Sequence, residues 1–359
     1  MGKTRFVTLV DEESIATAGT KTVDLDGVNP ISKLMIATRC TNNGSTPTAH
    51  PAAVVSKIEL VDGSDVMNST NGHCNQAVAF FDEGEMPFVI NETENDITSG
   101  AYFHINFGRY LWDKQLAFMP DRFMNPQLKI THNKASGGSA PDAGTLSVFA
   151  QCFDNGAVSP MGFLQTKEVK SYAVTASAHE YTDLPTDYTL RKLILQNLYA
   201  GSSPFNALST IKLSENQGQR VIFNADRGRE LVKSLMKTRT VTDCVATLGT
   251  GSAVTCYVTP TYEAYYTGVG RSASQSTLIV SQGSGGTVSI TNDSSESAQV
   301  IAKGQAPHGC IEIPFGRQDD PADWYDMGGV KKLELDIYAN SSASSSSTTR
   351  ILTQQLRKY

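Results

Sequence analysis

The residues that could do chemistry in this chain come in short, incomplete patterns. Gly2-Lys3-Thr4 resembles the end of a phosphate-binding loop, where backbone N–H groups cradle a phosphate and the lysine reaches it. That loop also needs an upstream strand and an earlier glycine, so no phosphate site is expected. Gly268, Gly270 and Ala273 satisfy G-x-G-x-x-A, but the SQSTLIV that follows reads as a strand where a dinucleotide turn must open a helix. His179-Glu180 begins a zinc-protease pattern, yet Asp183 stands at the next position of interest and the segment has no helical period. A strand is expected there.

Asp319, Asp320 and Asp323 could bind Ca²⁺ or serve as an acid/base pair, but an acidic turn after a strand is the favoured reading. There is no G-x-S-x-G elbow, and His50, His73, His104, His132, His179 and His308 are scattered without ligand spacing. The six cysteines, Cys40, Cys74, Cys152, Cys244, Cys256 and Cys310, include no C-x-x-C pair. They are expected as buried free thiols rather than as a zinc site or a disulfide scaffold. No catalytic, cofactor or metal site is expected, and that, combined with the duplicated β unit described below, moves the reading toward a structural, non-enzymatic role.

The chain has 359 residues, enough for two domains with separate cores. Only 18 % of residues are charged, against roughly 25 % in soluble globular chains. Such a surface suits a protein covered by neighbours or by loops more than one that must stay a dispersed monomer. The net charge of -6 argues against sequence-specific or bulk nucleic-acid binding through one large basic face. The sequence MGKTRFVTLV has no signal-peptide character, and no apolar run approaches the ~20 residues that span a bilayer. Folding in the cytoplasm where the chain is made is the expectation.

Short alternating segments rich in β-branched residues recur: RFVTLV at 5–10, KLMIAT at 33–38, SKIELV at 56–61 and YFHINF at 102–107. Gly, Asn, Pro and Asp clusters separate them, the pattern of antiparallel sandwiches or barrels. Two places read as helix. Cys74, Ala77, Val78 and Phe81 share one face, and so do Leu231, Val232, Leu235 and Met236 behind the cap candidates Asn224 and Asp226.

The strongest signal is an internal repeat. Residues 22–36 lie without a gap on 181–195, pairing Asp24 with Asp183, Leu25 with Leu184, Lys33 with Lys192 and Leu34 with Leu193. SKIEL at 56–60 answers STIKL at 209–213, and a helix follows each. INFGR at 105–109 answers IPFGR at 313–317, PQLKIT at 126–131 answers KKLELD at 331–336, and TLSVFAQ at 145–151 answers TRILTQQ at 349–355. Ordered matches of this kind point to two copies of one all-β unit, at 1–160 and 161–359. Phe107 and Phe315 should pack inward, with Arg109 and Arg317 near the strand ends. The second copy carries about 50 extra residues within about 239–307, read as a β-rich excursion that decorates the surface of its own barrel.

The two-copy order, the strand–helix–strand plan, the paired FGR segments and the unequal decoration together resemble the double jelly-roll major capsid proteins of tailless icosahedral bacteriophages and adenovirus-like viruses. The resemblance implies an all-β chain of two tandem eight-stranded jelly-roll barrels with short helices and an insertion in the second barrel. It implies a virion shell protein whose partners are its own copies, as homotrimers and neighbouring capsomers, together with other capsid proteins and, in many members, internal membrane lipid. It calls for no cofactor. Within that frame the basic residues near the two ends, Lys3, Arg5, Arg350, Arg357 and Lys358, are expected on the inner face, suited to anionic lipid or nucleic acid. The excursion is expected as an outward tower on the second barrel. Two other readings stand beside it: a secreted-type carbohydrate-binding β-sandwich with Tyr262, Tyr265 and Tyr266 as a sugar platform, and a virion spike protein.

Overall fold

The computed structural model describes residues 4–27, 29–43, 47–136, 143–154, 158–235, 240–270 and 277–359. Two sets of eight strands carry it. In the first, β1 (Thr4–Ser14), β9 (Gly144–Phe153), β3 (Ile31–Thr41) and β7 (Thr98–Asn106) lie side by side in that order. Facing them are β2 (Ala18–Asp24), β8 (Pro126–Asn133), β4 (Val55–Asp62) and β5 (Asp65–Thr70). The second set repeats the plan. One sheet runs β10 (Gly162–Ala173), β23 (Thr348–Lys358), β12 (Thr189–Asn197) and β21 (Cys310–Pro314), and the other β11 (His179–Leu184), β22 (Leu333–Tyr338), β13 (Thr210–Glu215) and β14 (Arg220–Ala225). Each set is a jelly roll, and the chain is the all-β double jelly roll its repeats predict.

The duplication holds at the level of single hydrogen-bonded pairs. Lys33 stands opposite Asn106 and Leu34 opposite Ile105; Lys192 stands opposite Pro314 and Leu193 opposite Ile313. The ladder to the last strand slips between Ile31 and Lys33 in one barrel and between Leu190 and Lys192 in the other. The bulged residues, Ser32 and Arg191, accept hydrogen bonds from the N–H groups of Phe107 (3.2 Å) and Phe315 (3.0 Å). Both phenylalanines are buried, so the FGR segments occupy equivalent places.

Two matches need correction. Ile36 stands opposite Val148 and Leu195 opposite Ile351, so Val148 answers Ile351, one residue before the Leu352 that laying TLSVFAQ on TRILTQQ would give. Ile130 and Leu128 stand opposite Ile58 and Leu60, whereas Ile337 and Leu335 stand opposite Ile211 and Leu213. Leu128 therefore answers Leu335, not the Leu333 that laying PQLKIT on KKLELD would give. A slip of two residues keeps every side chain on its own face, so alternation alone does not separate the two registers.

Alternation builds the cores. Along β8, Pro126, Leu128, Ile130 and His132 point inward and their neighbours outward. The first core joins Leu34, Ile36, Ile58, Leu60, Phe103 and Val148; the second joins Leu193, Leu195, Ile211, Ile313, Leu335 and Ile337. Each such side chain contributes roughly 1.5–3 kcal/mol on burial.

Among the described residues, three α-helices lie outside the barrels' ladders: α1 (Gly72–Glu83), α2 (Pro204–Ala207) and α3 (Gly228–Leu235). The second expected helix is α3, but Asn224 belongs to β14, and the first-turn N–H groups of Glu230 and Leu231 bond to the Arg227 carbonyl. The chain enters that helix at Arg227, so neither cap candidate fills the role. Met236 lies outside the described residues.

The barrels share sheets. Lys167 of β10 pairs in parallel with Ser69 of β5, which continues one sheet of the first barrel into one sheet of the second. The excursion contributes β15 (Val241–Leu248), β17 (Pro260–Gly270) and β20 (Ser297–Pro307), and Val245 and Ala246 of β15 pair in parallel with Asn91 and Glu92 of β6 (Val89–Glu92). A smaller sheet of β16 (Ala253–Tyr257), β18 (Leu278–Gln282) and β19 (Thr287–Asn292) closes over Val245, Cys256, Val288, Ile290 and Val300. The excursion is thus inserted in the second barrel but hydrogen-bonded to the first, which the expectation of a tower on the second barrel alone misses.

Candidate functional site

For a chain of two equivalent barrels, the functional question is what fixes one against the other. Helix α1 does much of it. The Asn71 side chain accepts the Cys74 N–H at 2.8 Å and opens the helix, and Gly84 at φ +84° closes it. Between them almost every side chain is buried, not only the single apolar face read from sequence. Cys74, Ala77, Val78, Phe80 and Phe81 pack against Ile194, Cys310 and Leu352 of the second barrel and Val241 of the excursion.

The last turn of α1 carries two carboxylates. Asp82, its side chain 2 % exposed, accepts from Arg191 (2.6 Å), Lys192 (3.0 Å) and Gln354 (2.8 Å), all of the second barrel. Lys192 also reaches Glu312 at 2.9 Å, and the Arg191 guanidinium lies 5.5 Å from the centre of the Trp324 ring. Burial alone would raise the Asp82 carboxyl, but Lys192, then Arg191, then the hydrogen bonds hold it below the ordinary carboxylate range. Glu83 turns the other way, to Lys33 (3.0 Å), His104 (2.9 Å) and Asn106 (2.8 Å) of the first barrel.

The FGR arginines have diverged. Arg109, 8 % exposed, makes a bidentate pair with Asp113 (2.6 and 2.9 Å) and donates to the Asp319 carbonyl of the second barrel at 2.7 Å. Arg317, 68 % exposed, reaches the Asp319 carboxylate alone among the described residues, at 3.3 Å. A groove of about 500 Å³ runs between the two segments, lined by Asp82, Arg109, Arg191, Lys192, Arg317 and Asp319. The named cations on its wall are paired with carboxylates.

A second polar knot ties the excursion down. Asp243 of β15 is buried; its Oδ2 faces His50 Nε2 (3.2 Å) and accepts from the Thr259 N–H (2.8 Å), the Thr259 hydroxyl (3.0 Å) and Asn91 (3.4 Å). Burial would raise this carboxyl too, but His50 and Thr259 hold it low. His50 Nδ1 accepts the Ala52 N–H at 3.1 Å, which puts the ring proton on Nε2. His308 Nε2 faces Gln76 Oε1 at 2.8 Å. His73 lies with its ring centre 4.8 Å from that of His308, which lies 4.7 Å from His50. Burial, then the neighbouring His50 ring, pushes His73 down to about 3, and burial holds His308 well below its ordinary value. The reading of the histidines as scattered is therefore corrected: three of the six converge. Nothing in the sequence marks this, because they come from three segments far apart in the chain.

The predicted basic set does not form one surface. Arg5 pairs with Asp154 (2.8 Å), Arg350 with both oxygens of Glu168 (3.1 and 3.0 Å), and Arg357 with Asp65 of the first barrel (2.5 Å), over the rings of Phe123, Phe163 and Tyr188. Lys358 is exposed, and Lys3 lies outside the described residues. Arg350 stands near the start of β23 and Lys358 at its end, about 25 Å apart at strand rise. Thr4 pairs with Phe153, Lys358 with Gly162, and the Tyr359 hydroxyl donates to the Ala117 carbonyl, so Thr4, Phe153, Gly162 and Tyr359 share one end of the molecule. The excursion enters β21 at Cys310, beside Gln196 and, across β12, Arg350, at the opposite end.

The other candidates resolve simply. His179, Glu180 and Asp183 lie on strand β11, and Gly268 and Gly270 on β17. Gly2 and Ala273 lie outside the described residues. Asp320 and Asp323 accept the N–H groups of Ala322 and Arg317, as turn carboxylates do. Five cysteines are buried and Cys244 is partly so. Of the three tyrosines, Tyr265 is 79 % exposed; Tyr262 packs on Phe205 and the Tyr266 hydroxyl bonds to Thr287. They do not form one platform.

No family model matches the sequence and no curated protein matches it. Solved structures do. The STIV MCP matches at TM-score 0.60 and 11 % identity, over 100 % of this chain and 98 % of that one. PBCV-1 VP54, solved for fitting into a reconstruction of the virophage Sputnik, matches at 0.56 and 11 %, over 99 % and 94 %. The major capsid protein P2 from bacteriophage PM2 matches at 0.52 and 7 %, over 99 % and 98 %. The chain has the fold of these proteins from end to end.

Proposed function

We propose that the chain is a major capsid protein, a virion component made in a host cell, three copies of which form a pseudo-hexagonal capsomer of an icosahedral shell. The observation that carries this is the duplicated register: two barrels with the same ladders, the same bulge and the same FGR placement, locked side by side through α1. Three such chains present six similar flanks, which lets one kind of lateral contact recur around a nearly six-fold outline. The parallel pairings of β10 with β5 and of β15 with β6 cover sheet edges that would otherwise be free to pair wrongly at assembly concentrations. The solved structures that share the fold over their whole length include capsid proteins by name, which supports the same reading.

Within this reading the two units, 1–160 and 161–359, act as the two half-faces of one subunit. The end that holds both termini, with Arg5 and Lys358, faces the interior, where anionic lipid or other capsid proteins lie. Arg350 sits toward the excursion and does not belong to that face. The test is the state of the purified protein. Light scattering and electron microscopy should show trimers with a hexagonal outline, or shells, and a stable monomer at every practical concentration would overturn the proposal. The carbohydrate-binding reading loses its platform, since Tyr262 and Tyr266 are committed to internal contacts.

A further inference from the structure

We infer that His50, His73 and His308 form a binding site for a transition-metal ion of the Zn²⁺ class, which ties the two barrels and the excursion together. Their ligand nitrogens all lie within 4.8 Å of one another. A tetrahedral zinc site, with Zn–N near 2.0–2.1 Å, places its nitrogens about 3.3 Å apart. Small side-chain rotations close the difference. The three rings come from separate places: the loop before β4, the start of α1, and the turn that leads from the excursion into β21. An ion held by all three would join parts of the fold that the sequence keeps far apart.

The surroundings of the rings are those of metal ligands. Ligating histidines usually donate their second ring N–H to a carboxylate or carbonyl oxygen, which fixes the tautomer and the ring's aim. His50 has Asp243 in that role and His308 has Gln76, whose own amide donates to the Tyr102 carbonyl and so leaves its oxygen to accept. That frees Nδ1 of His308. His73 has ring contacts but no hydrogen bond among the described residues, so its lone pair is uncommitted. The Nδ1 of His50 now accepts the Ala52 N–H, and loading exchanges that one bond for the ion.

Two further observations point the same way. A cavity of about 150 Å³ borders the rings, walled also by Leu198, Tyr257 and Val258, with room for an ion and a water as fourth ligand. The backbone is also strained to present His308: Ala306 and His308 both have φ +52°, a left-handed conformation uncommon for residues other than glycine. The following Gly309 is fixed there because a Cβ would lie 2.2 Å from the Asn197 carbonyl oxygen. All-imidazole ligation favours Zn²⁺, Co²⁺, Ni²⁺ and Cu²⁺ over the oxygen-seeking Mg²⁺ and Ca²⁺. The nearby cation Arg350 is neutralised by Glu168.

The experiment uses the full-length assembly, stripped with a chelator and titrated with Zn²⁺ by calorimetry and with Co²⁺ by visible absorption. One Zn²⁺ should bind per chain, raise the melting temperature and be unaffected by excess Mg²⁺ or Ca²⁺, and Co²⁺ should give the intense bands of a tetrahedral site. His73→Ala, which breaks no hydrogen bond, should weaken Zn²⁺ binding by more than about 100-fold, since even an outer-shell partner is worth about 10–100-fold. His308→Gln should do the same, and His179→Ala, on an exposed strand, should change nothing. Absence of saturable Zn²⁺ binding in the parent, or parental affinity in either ligand variant, would overturn the inference.

Discussion

Lys33 and Lys192 hold the same position in the two barrels, and both end on one helix: Lys33 on Glu83 and Lys192 on Asp82, each at 3.0 Å. Adjacent carboxylates of α1 thus take one lysine from each copy of the repeat. The two pairs differ in burial, for Lys192 and Asp82 are almost wholly enclosed while Glu83 is partly open to solvent. Breaking a buried pair leaves an uncompensated charge, at about 3–5 kcal/mol, whereas an exposed pair is worth about 0–1 kcal/mol. Asp82→Ala should therefore destabilise by at least about 3 kcal/mol and Glu83→Ala by clearly less. Urea unfolding measures both, and equal costs would show that α1 does not bridge the barrels unequally.

The same carboxylates set a pH dependence. Asp82 is held below its ordinary value of 3.8, with burial opposing and Lys192 and Arg191 prevailing; Glu83 is held below 4.5, with burial opposing and His104 prevailing. A depressed carboxyl binds fewer protons in the folded than in the unfolded state, so its stabilisation is full above the unfolded value and disappears as pH falls through the folded one. The stability of the parent minus that of Asp82→Asn should be constant from pH 7 to about 5 and shrink below pH 4. A difference that grows on acidification would reverse the assignment.

Arg109 and Arg317 are equivalent in sequence and should be unequal in effect. Arg109→Ala leaves buried Asp113 without its bidentate partner and frees the Asp319 carbonyl, and should cost roughly 2–4 kcal/mol. Arg317→Ala removes an exposed pair and should leave the melting temperature unchanged. Calorimetry on the two variants, side by side, decides it.

Gly72 and Gly228 open α1 and α3, and each lies against a carbonyl oxygen: an added Cβ would meet Ala52 O, or Leu208 O, at 2.3 Å. Alanine inside a helix is normally better than glycine by about 1 kcal/mol. Here the clash is with backbone, which does not rotate away, so Gly72→Ala and Gly228→Ala should both destabilise, by about 1–3 kcal/mol as overpacking does. Thermal melts that show either variant to be more stable would mean that the helix starts are looser than they look.

The repeat was legible because it is written in short-range code. Alternation in β8 and β22, the ungapped match of 22–36 to 181–195 and the FGR segments each depend on neighbours a few residues apart. What escaped was everything that joins distant segments. The meeting of His50, His73 and His308, the pairing of β15 with β6 and the partners of Asp82 have no local signature, and a two-residue slip in the β22 match left the buried face unchanged. Arg350 was grouped with Arg357 and Lys358 by closeness in sequence, but a strand carries its two ends apart.

The last prediction concerns the direction in which the subunit faces. Thr4, Phe153, Gly162 and Lys358 gather at one end of the barrels, and the excursion joins β21 at the other. A closed shell exposes one of those ends to protease and encloses the other. Long, polar, weakly charged turns such as those around Gly251 and Ser294 obstruct neither contents nor neighbours only when they point outward. Intact particles treated briefly with a broad-specificity protease should therefore be cut within 249–296 while both termini remain, as mass spectrometry of the fragments will show. The same protein released as free trimers should lose its terminal residues as well, since the end that holds them is then open. Rapid loss of the termini from intact particles, with the excursion uncut, would invert the orientation while leaving the double-barrel shell intact.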